Sequence, residues 1–227
     1  MTLPFPRAAP GPAFRFTVTH ADHDPHALGP ILRLHLTVTE TTGTRIHALA
    51  LRTQIRIEPA RRRYTPGEQT RLVELFGEPE RWGRTLNPLQ LATISVVTTS
   101  FTGDHALVLE VPLTFDTEVA ATRYFRGLAE GGEVPLLLLF SGTVFYDSAD
   151  AATGVQVGLV PWSSETAFRL PVDVWSQMMA AQYGGTAWLR LPEDTLARLS
   201  AWRAARALPT WEQTFAALLD AAEGTSS

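Results

Sequence analysis

Ile31-Leu-Arg-Leu-His-Leu-Thr-Val-Thr-Glu40 is followed, after Thr41-Thr-Gly-Thr44, by Ile46-His-Ala-Leu-Ala-Leu-Arg-Thr-Gln-Ile-Arg-Ile57. In the first run Leu32, Leu34, Leu36 and Val38 alternate with Arg33, His35, Thr37 and Thr39. In the second, Leu49, Leu51, Ile55 and Ile57 oppose Arg52, Gln54, Arg56 and Glu58. A period of two places successive side chains on opposite faces of a strand, so both runs read as half-buried strands. The Thr-Thr-Gly-Thr cluster between them predicts a hairpin turn. Phe14, Phe16 and Val18 extend the alternation towards the N-terminus, and Pro59, which lacks a ladder donor, stops it.

Beyond Pro59 the period changes. Thr65, Pro66 and Glu68 have capping-box spacing, Leu72, Leu75 and Phe76 form a helical stripe, and Gly77 suits the helix end. Residues 78–90 read as irregular. Strands are expected at about 92–101 and 106–115, joined by a tight turn at Thr102–His105. A helix capped by Asp116 and carrying Ala121, Tyr124, Phe125 and Leu128 comes next. Val134–Tyr146 reads as a strand buried on both faces, with Val155–Trp162 as its partner across a loop holding Asp147, Asp150 and Gly154. From Pro171 the pattern is helical: Trp175, Met178 and Met179 share a face, Pro192-Glu-Asp194 starts a helix, and Thr210–Gln213 repeats the capping spacing. The fold class expected is therefore α+β, an antiparallel β-sandwich or curled sheet with inserted helices and a C-terminal helical appendix. Residues 1–12 are a proline-rich arm, 13–165 the core, and 166–227 helices packed on it.

The 227 residues contain no cysteine, which excludes disulfides, thiolate metal sites and cysteine nucleophiles. All 19 basic residues are arginine, which excludes lysine Schiff-base chemistry and a P-loop lysine. A net charge of −4 argues against generic nucleic-acid binding. The longest strongly apolar run, Val134–Phe140, is far short of the ~20 residues of a membrane-spanning helix. No secretory leader precedes the first strand, so a cytoplasmic location is expected.

Three features attract a functional reading. His20, Asp22, His23, Asp24 and His26 fall within seven residues; imidazoles and carboxylates suit zinc or nickel, and a polar loop between strands is the competing account. Arg45, Arg52, Arg56, Arg61, Arg62 and Arg63 form a cationic stripe against the single Glu58, with Arg33 on the neighbouring strand; a solvated sheet face with acids from elsewhere is the competing account. If the hairpin holds, Arg33 and His35 lie beside Arg52 and Arg56 on one wet face, suited to carboxylates of a partner protein. Trp82, in Glu78-Pro-Glu-Arg-Trp-Gly-Arg84, is the tryptophan most expected to be exposed among Trp82, Trp162, Trp175, Trp188, Trp202 and Trp211. Catalytic signatures are missing: Ser141 sits in no nucleophile elbow, Asp104-His105 falls in the expected turn, and Asp116 and Glu118 read as helix-start charges.

Arg52-Thr-Gln-Ile-Arg-Ile-Glu-Pro59, Leu75-Phe-Gly-Glu-Pro-Glu-Arg-Trp-Gly-Arg-Thr-Leu86 and Val134-Pro-Leu-Leu-Leu-Leu-Phe-Ser-Gly-Thr-Val-Phe145, continued by Val160-Pro-Trp162 and Val174-Trp175, resemble an uncharacterised actinobacterial family, a domain of unknown function. The His20–His26 cluster lies outside those segments. The resemblance transfers no catalytic residue. It implies an accessory role near nickel–iron hydrogenase genes, with a hydrogenase subunit or maturation factor as the protein partner. The expectation is a non-catalytic interaction protein without a required cofactor; the alternatives are a metal- or small-ligand-binding protein using the His20–His26 loop, and an enzyme with an unrecognised site.

Overall fold

In a computed structural model, residues 11–113, 119–128, 131–147, 154–184 and 191–224 are described. The proline-rich residues 1–10, the helix-start residues Asp116 and Glu118, Asp150 and Trp188 lie outside them. The chain divides into two compact units, residues 1–185 and 186–227. Among the described residues the first unit contains eight strands in two antiparallel sheets. One sheet has the order β1 (Phe14–His23), β2 (Ile31–Glu40), β5 (Asp104–Pro112). The other has the order β4 (Leu89–Val97), β3 (Ile46–Ile57), β6 (Glu133–Asp147), β7 (Val155–Val160), with β8 (Glu165–Pro171) also paired to β6. The α+β architecture read from the alternation is the one present, and neither sheet closes into a barrel.

The hairpin expected at Thr41–Thr44 does not form. β2 pairs with β1 and β5, whereas β3 pairs with β4 and β6, so the connection crosses from one sheet to the other. Glu40, 3% exposed, holds this crossover: Oε1 accepts from the Ala13 and Thr42 amides at 3.3 and 2.9 Å and from the Thr42 hydroxyl at 2.5 Å, and Oε2 accepts from the Thr44 amide at 2.8 Å. A carboxylate wrapped by local donors fixes the exit direction of a loop that has no cross-strand ladder of its own. Alternation identified β2 and β3 as strands; pairing of neighbours in sequence is only the commoner topology.

The inward faces form the core. Leu32, Leu34, Leu36 and Val38 of β2 meet Leu49, Leu51, Ile55 and Ile57 of β3 and Leu136, Leu138, Phe140 and Val144 of β6, all buried. The Phe16 and Phe140 rings stack across the sheets, 4.1 Å apart and 14° from parallel. β6 also approaches β3 closely: a Cβ on Gly142 would lie 2.2 Å from the Ala50 carbonyl oxygen. Helix α1 (Pro66–Phe76) carries the full capping box at Thr65 and Glu68 and ends at Gly77 with φ 75°. Between it and β4 the chain makes a 3₁₀ turn at Pro79–Arg81 and the short helix α2 (Trp82–Thr85), ordered structure within the stretch read as irregular. Helix α3 (Val119–Gly127) buries Ala121, Tyr124 and Phe125, and α4 (Val172–Tyr183) buries Val172, Trp175 and Met178. β8 carries the sheet to Pro171, where the sequence pattern turns helical, so its residues fall beyond the expected core boundary at 165.

The second unit comprises α5 (Glu193–Ala205) and α6 (Trp211–Gly224). The Thr210 hydroxyl accepts from the Gln213 amide at 3.2 Å, which caps α6 as its spacing predicts. Arg203 lies over Trp211 and Arg206 over Trp202, at 4.4 and 3.9 Å from the ring centroids.

Candidate functional site

A β-bulge decides which way the histidine-rich segment faces. From Phe14 to Val18, β1 places alternate residues inward, and continued alternation would turn His20 and Asp22 into the core. The register shifts between Val18 and His20, so that His20 then pairs with His35 and Asp22 with Arg33. An extra residue in one strand reverses the facing of all that follow. His20 and Asp22 therefore join Arg33 and His35 on the outer face of the first sheet.

There the His20 and His35 rings stack 3.8 Å apart. Arg33 Nε donates to Asp22 Oδ1 at 2.7 Å, and His35 Nε2 lies 3.2 Å from Asp22 Oδ2. That nitrogen is buried and has no hydrogen-bond partner; the carboxylate is close but misaligned. The Thr19 hydroxyl lies 3.1 Å from His20 Nδ1. Partial burial is the largest influence on the Asp22 carboxyl and pushes its pKa up, but the contacts and charges of Arg33 and His35 together outweigh it and hold it below the usual carboxylate range. The loop reading of the metal cluster is thus corrected: His20, Asp22 and His23 belong to β1. His26 lies in the connection to β2, where its amide donates to Asp24 at 2.9 Å. Among the described residues one group of three side chains brings potential metal donors within 4.8 Å of one another, and it is His20, Asp22 and His35. His23 and His26 are not in it.

The arginine stripe does not survive as one surface. Arg33 stands on the first sheet, tied to Asp22 and to the His23 carbonyl at 3.3 Å, whereas Arg52 and Arg56 stand on the second. Arg56 donates to Gln54 at 2.9 Å. Arg62 is structural: its side chain is 10% exposed, and it donates to Glu68 at 2.9 Å and to the Glu133 carbonyl at 3.0 Å. Arg61 and Arg63 are exposed, Arg61 lying 4.0 Å from Glu58. Trp82 is buried, not exposed. Its ring meets Tyr64 and Phe76 edge-on, and its Nε1 donates to the Gly77 carbonyl at 2.8 Å.

The outer face of the second sheet carries the exposed apolar surface. In register, Val97, Ala50, Thr143 and Leu159 form one rung, and Ala48, Phe145 and Val157 the next. Val97, Val157 and Leu159 are 74%, 61% and 77% exposed, and Trp162, in the turn between β7 and β8, is 90% exposed. A shallow depression of about 450 Å³ joins Trp162 to Arg52, Gln54, Gln90 and Ser141. Glu165, opposite Leu139, stands on the same face. β6 is therefore not covered on both sides.

A model described as a family of unknown function, DUF6084, matches residues 11–227. The chain belongs to this family. No curated protein matches the DUF6084 chain. Among solved structures, red sea bream transglutaminase is similar over 69% of this chain at 12% identity, with a TM-score of 0.24. The aligned part spans only 26% of the transglutaminase chain, and at that score the likeness carries no argument. Sequence reading places His35 with the arginines and not with the metal donors, and gives Val157, Leu159 and Trp162 of this DUF6084 protein no functional part. Val157 and Leu159 alternate with Gln156 and Gly158, and an apolar set of period two is expected to face the core. The reverse holds, because Gly158 leaves room inside for Tyr146 and Val144.

Proposed function

We propose that this DUF6084 protein is a non-catalytic interaction protein whose partner protein docks on the outer face of the second sheet. The observation that supports it is the pair of apolar rungs ending in Leu159 and Val157, with Trp162 and Arg52 beside them. Contiguous exposed apolar surface beside arginine and tryptophan is the composition of binding patches. The resemblance to genes beside nickel–iron hydrogenase operons makes a hydrogenase subunit or maturation factor, met in the cytoplasm of an actinobacterium, the partner class to try first. A photocrosslinker at position 157 in native cells should capture one such protein, and Leu159→Asp with Trp162→Ala should abolish capture. Recovery of the same proteins by the variant, or by a crosslinker placed at Thr37 on the other sheet, would overturn the reading.

A further inference from the structure

We infer that His20, Asp22 and His35 form a site for a divalent transition metal on the outer face of the first sheet, independent of the docking face. Three residues of hard and borderline donor chemistry converge from two adjacent strands, their donor atoms within 4.8 Å of one another. Zinc binds such donors at about 2.0–2.2 Å, which sets them roughly 3.3 Å apart, so closing the set requires the stacked His20 and His35 rings to turn out of parallel. The bulge after Val18 is what makes convergence possible, since it brings His20 and Asp22 onto the face of His35. His35 Nε2, a buried atom without a well-aligned hydrogen bond, faces Asp22 Oδ2 at 3.2 Å, so two donors of the set already lie side by side.

The surroundings are those of a ligand set held in place. Arg33 engages Asp22 Oδ1 and leaves Oδ2 facing His35. The Thr19 hydroxyl sits against His20 Nδ1 and bridges to the His35 carbonyl at 3.2 Å, tying one ligand ring to the strand of the other. Outer partners of this kind fix ring orientation in metal sites. A shallow depression of about 210 Å³ lies over Thr19, His20, His35 and Thr37 and leaves room for water to complete the coordination. The guanidinium of Arg33 opposes the cation, so binding is of an exchangeable kind and not that of a permanent structural zinc.

Calorimetric titration of the full chain with zinc chloride, and separately with nickel chloride, tests the assignment. One equivalent of at least one metal should bind, and the metal should raise the melting temperature. His35→Ala and the near-isosteric Asp22→Asn should each weaken binding about ten-fold or more, while His23→Ala and His26→Ala stay within about two-fold. Histidine ring proton resonances should shift for His20 and His35 and not for His26. Absence of binding by either metal at about 200 µM, a level above which weak surface coordination loses meaning, would overturn the site. So would a loss with His26→Ala matching that with His35→Ala, which would return the metal to the 24–30 connection.

Discussion

Glu40 is a buried carboxylate with no ion-pair partner among the described residues, held there by amide and hydroxyl donors. Burial is the strongest single influence on its pKa and raises it, yet the donors from Thr42, Thr44 and Ala13 together bring it below the ordinary glutamate value of 4.5. Because the folded-state pKa is depressed, its contribution to stability is complete above that value and is lost as pH falls through the folded pKa. Glu40→Gln places an amide where backbone donors converge and should cost about 2–3 kcal/mol near neutrality. Chemical denaturation at pH 7 and again at pH 3.5 should show the gap between wild type and variant narrowing in acid. Trp82 makes a different residue-scale case. Its proline-flanked surroundings suggest a loop, and nothing local reveals that Tyr64 and Phe76 form a box around it. Trp82→Ala should cost about 3–5 kcal/mol through the cavity it leaves, and should leave partner capture intact once refolded material is assayed.

At the scale of elements, the alternation in β2 and β3 and the capping box of α1 were readable because each is a local pattern that tertiary context does not reverse. Facing and pairing are non-local. One bulge turns His20 and Asp22 outward, and a crossover in place of a hairpin separates Arg33 from Arg52. Neither event changes the composition of the strands, so a single sequence carries little trace of them. The Thr65 cap is testable by Thr65→Ala, which should lower stability by about 1 kcal/mol with the denaturant slope unchanged. Gly142 marks where β6 passes closest to β3. Gly142→Ala drives a methyl against the Ala50 carbonyl, and the strands must separate to admit it. A loss of about 2 kcal/mol or more, with faster amide exchange in both β3 and β6, is expected.

For the whole molecule, the two outer faces differ in kind. The first sheet presents mainly histidine, aspartate, arginine and threonine to water, with Val108 among them; the second presents valine, leucine and tryptophan beside Arg52, Gln54 and Glu165. No described helix is long and apolar enough to cross a membrane, so the apolar face is not part of a helical span. If that face serves docking and not folding, Val157→Thr combined with Leu159→Thr should shift the melting temperature by no more than about 2–4 °C. Binding of a hydrophobic dye should fall in the same variant. The sequence reading chooses Trp82 as the tryptophan most expected to be exposed, whereas Trp82 is buried and Trp162 is exposed. Burial is decided by which elements pack overhead, and among the described residues none covers Trp162, which is 90% exposed.

The arch at Glu40 also bears on the order of assembly. A chain that turned back on itself there could zip β2 to β3 within microseconds, each rung formed beside the last. Instead β2 must wait for β5, some 65 residues downstream across Thr39 and Asp104, and β3 for β6, whose Asp147 bonds His47 from 100 residues away. Such distant partners place this protein among the slow folders, in the range of milliseconds to seconds, with β1–β2 the natural early hairpin. A nascent chain halted before residue 104 would hold β2 with one side unzipped.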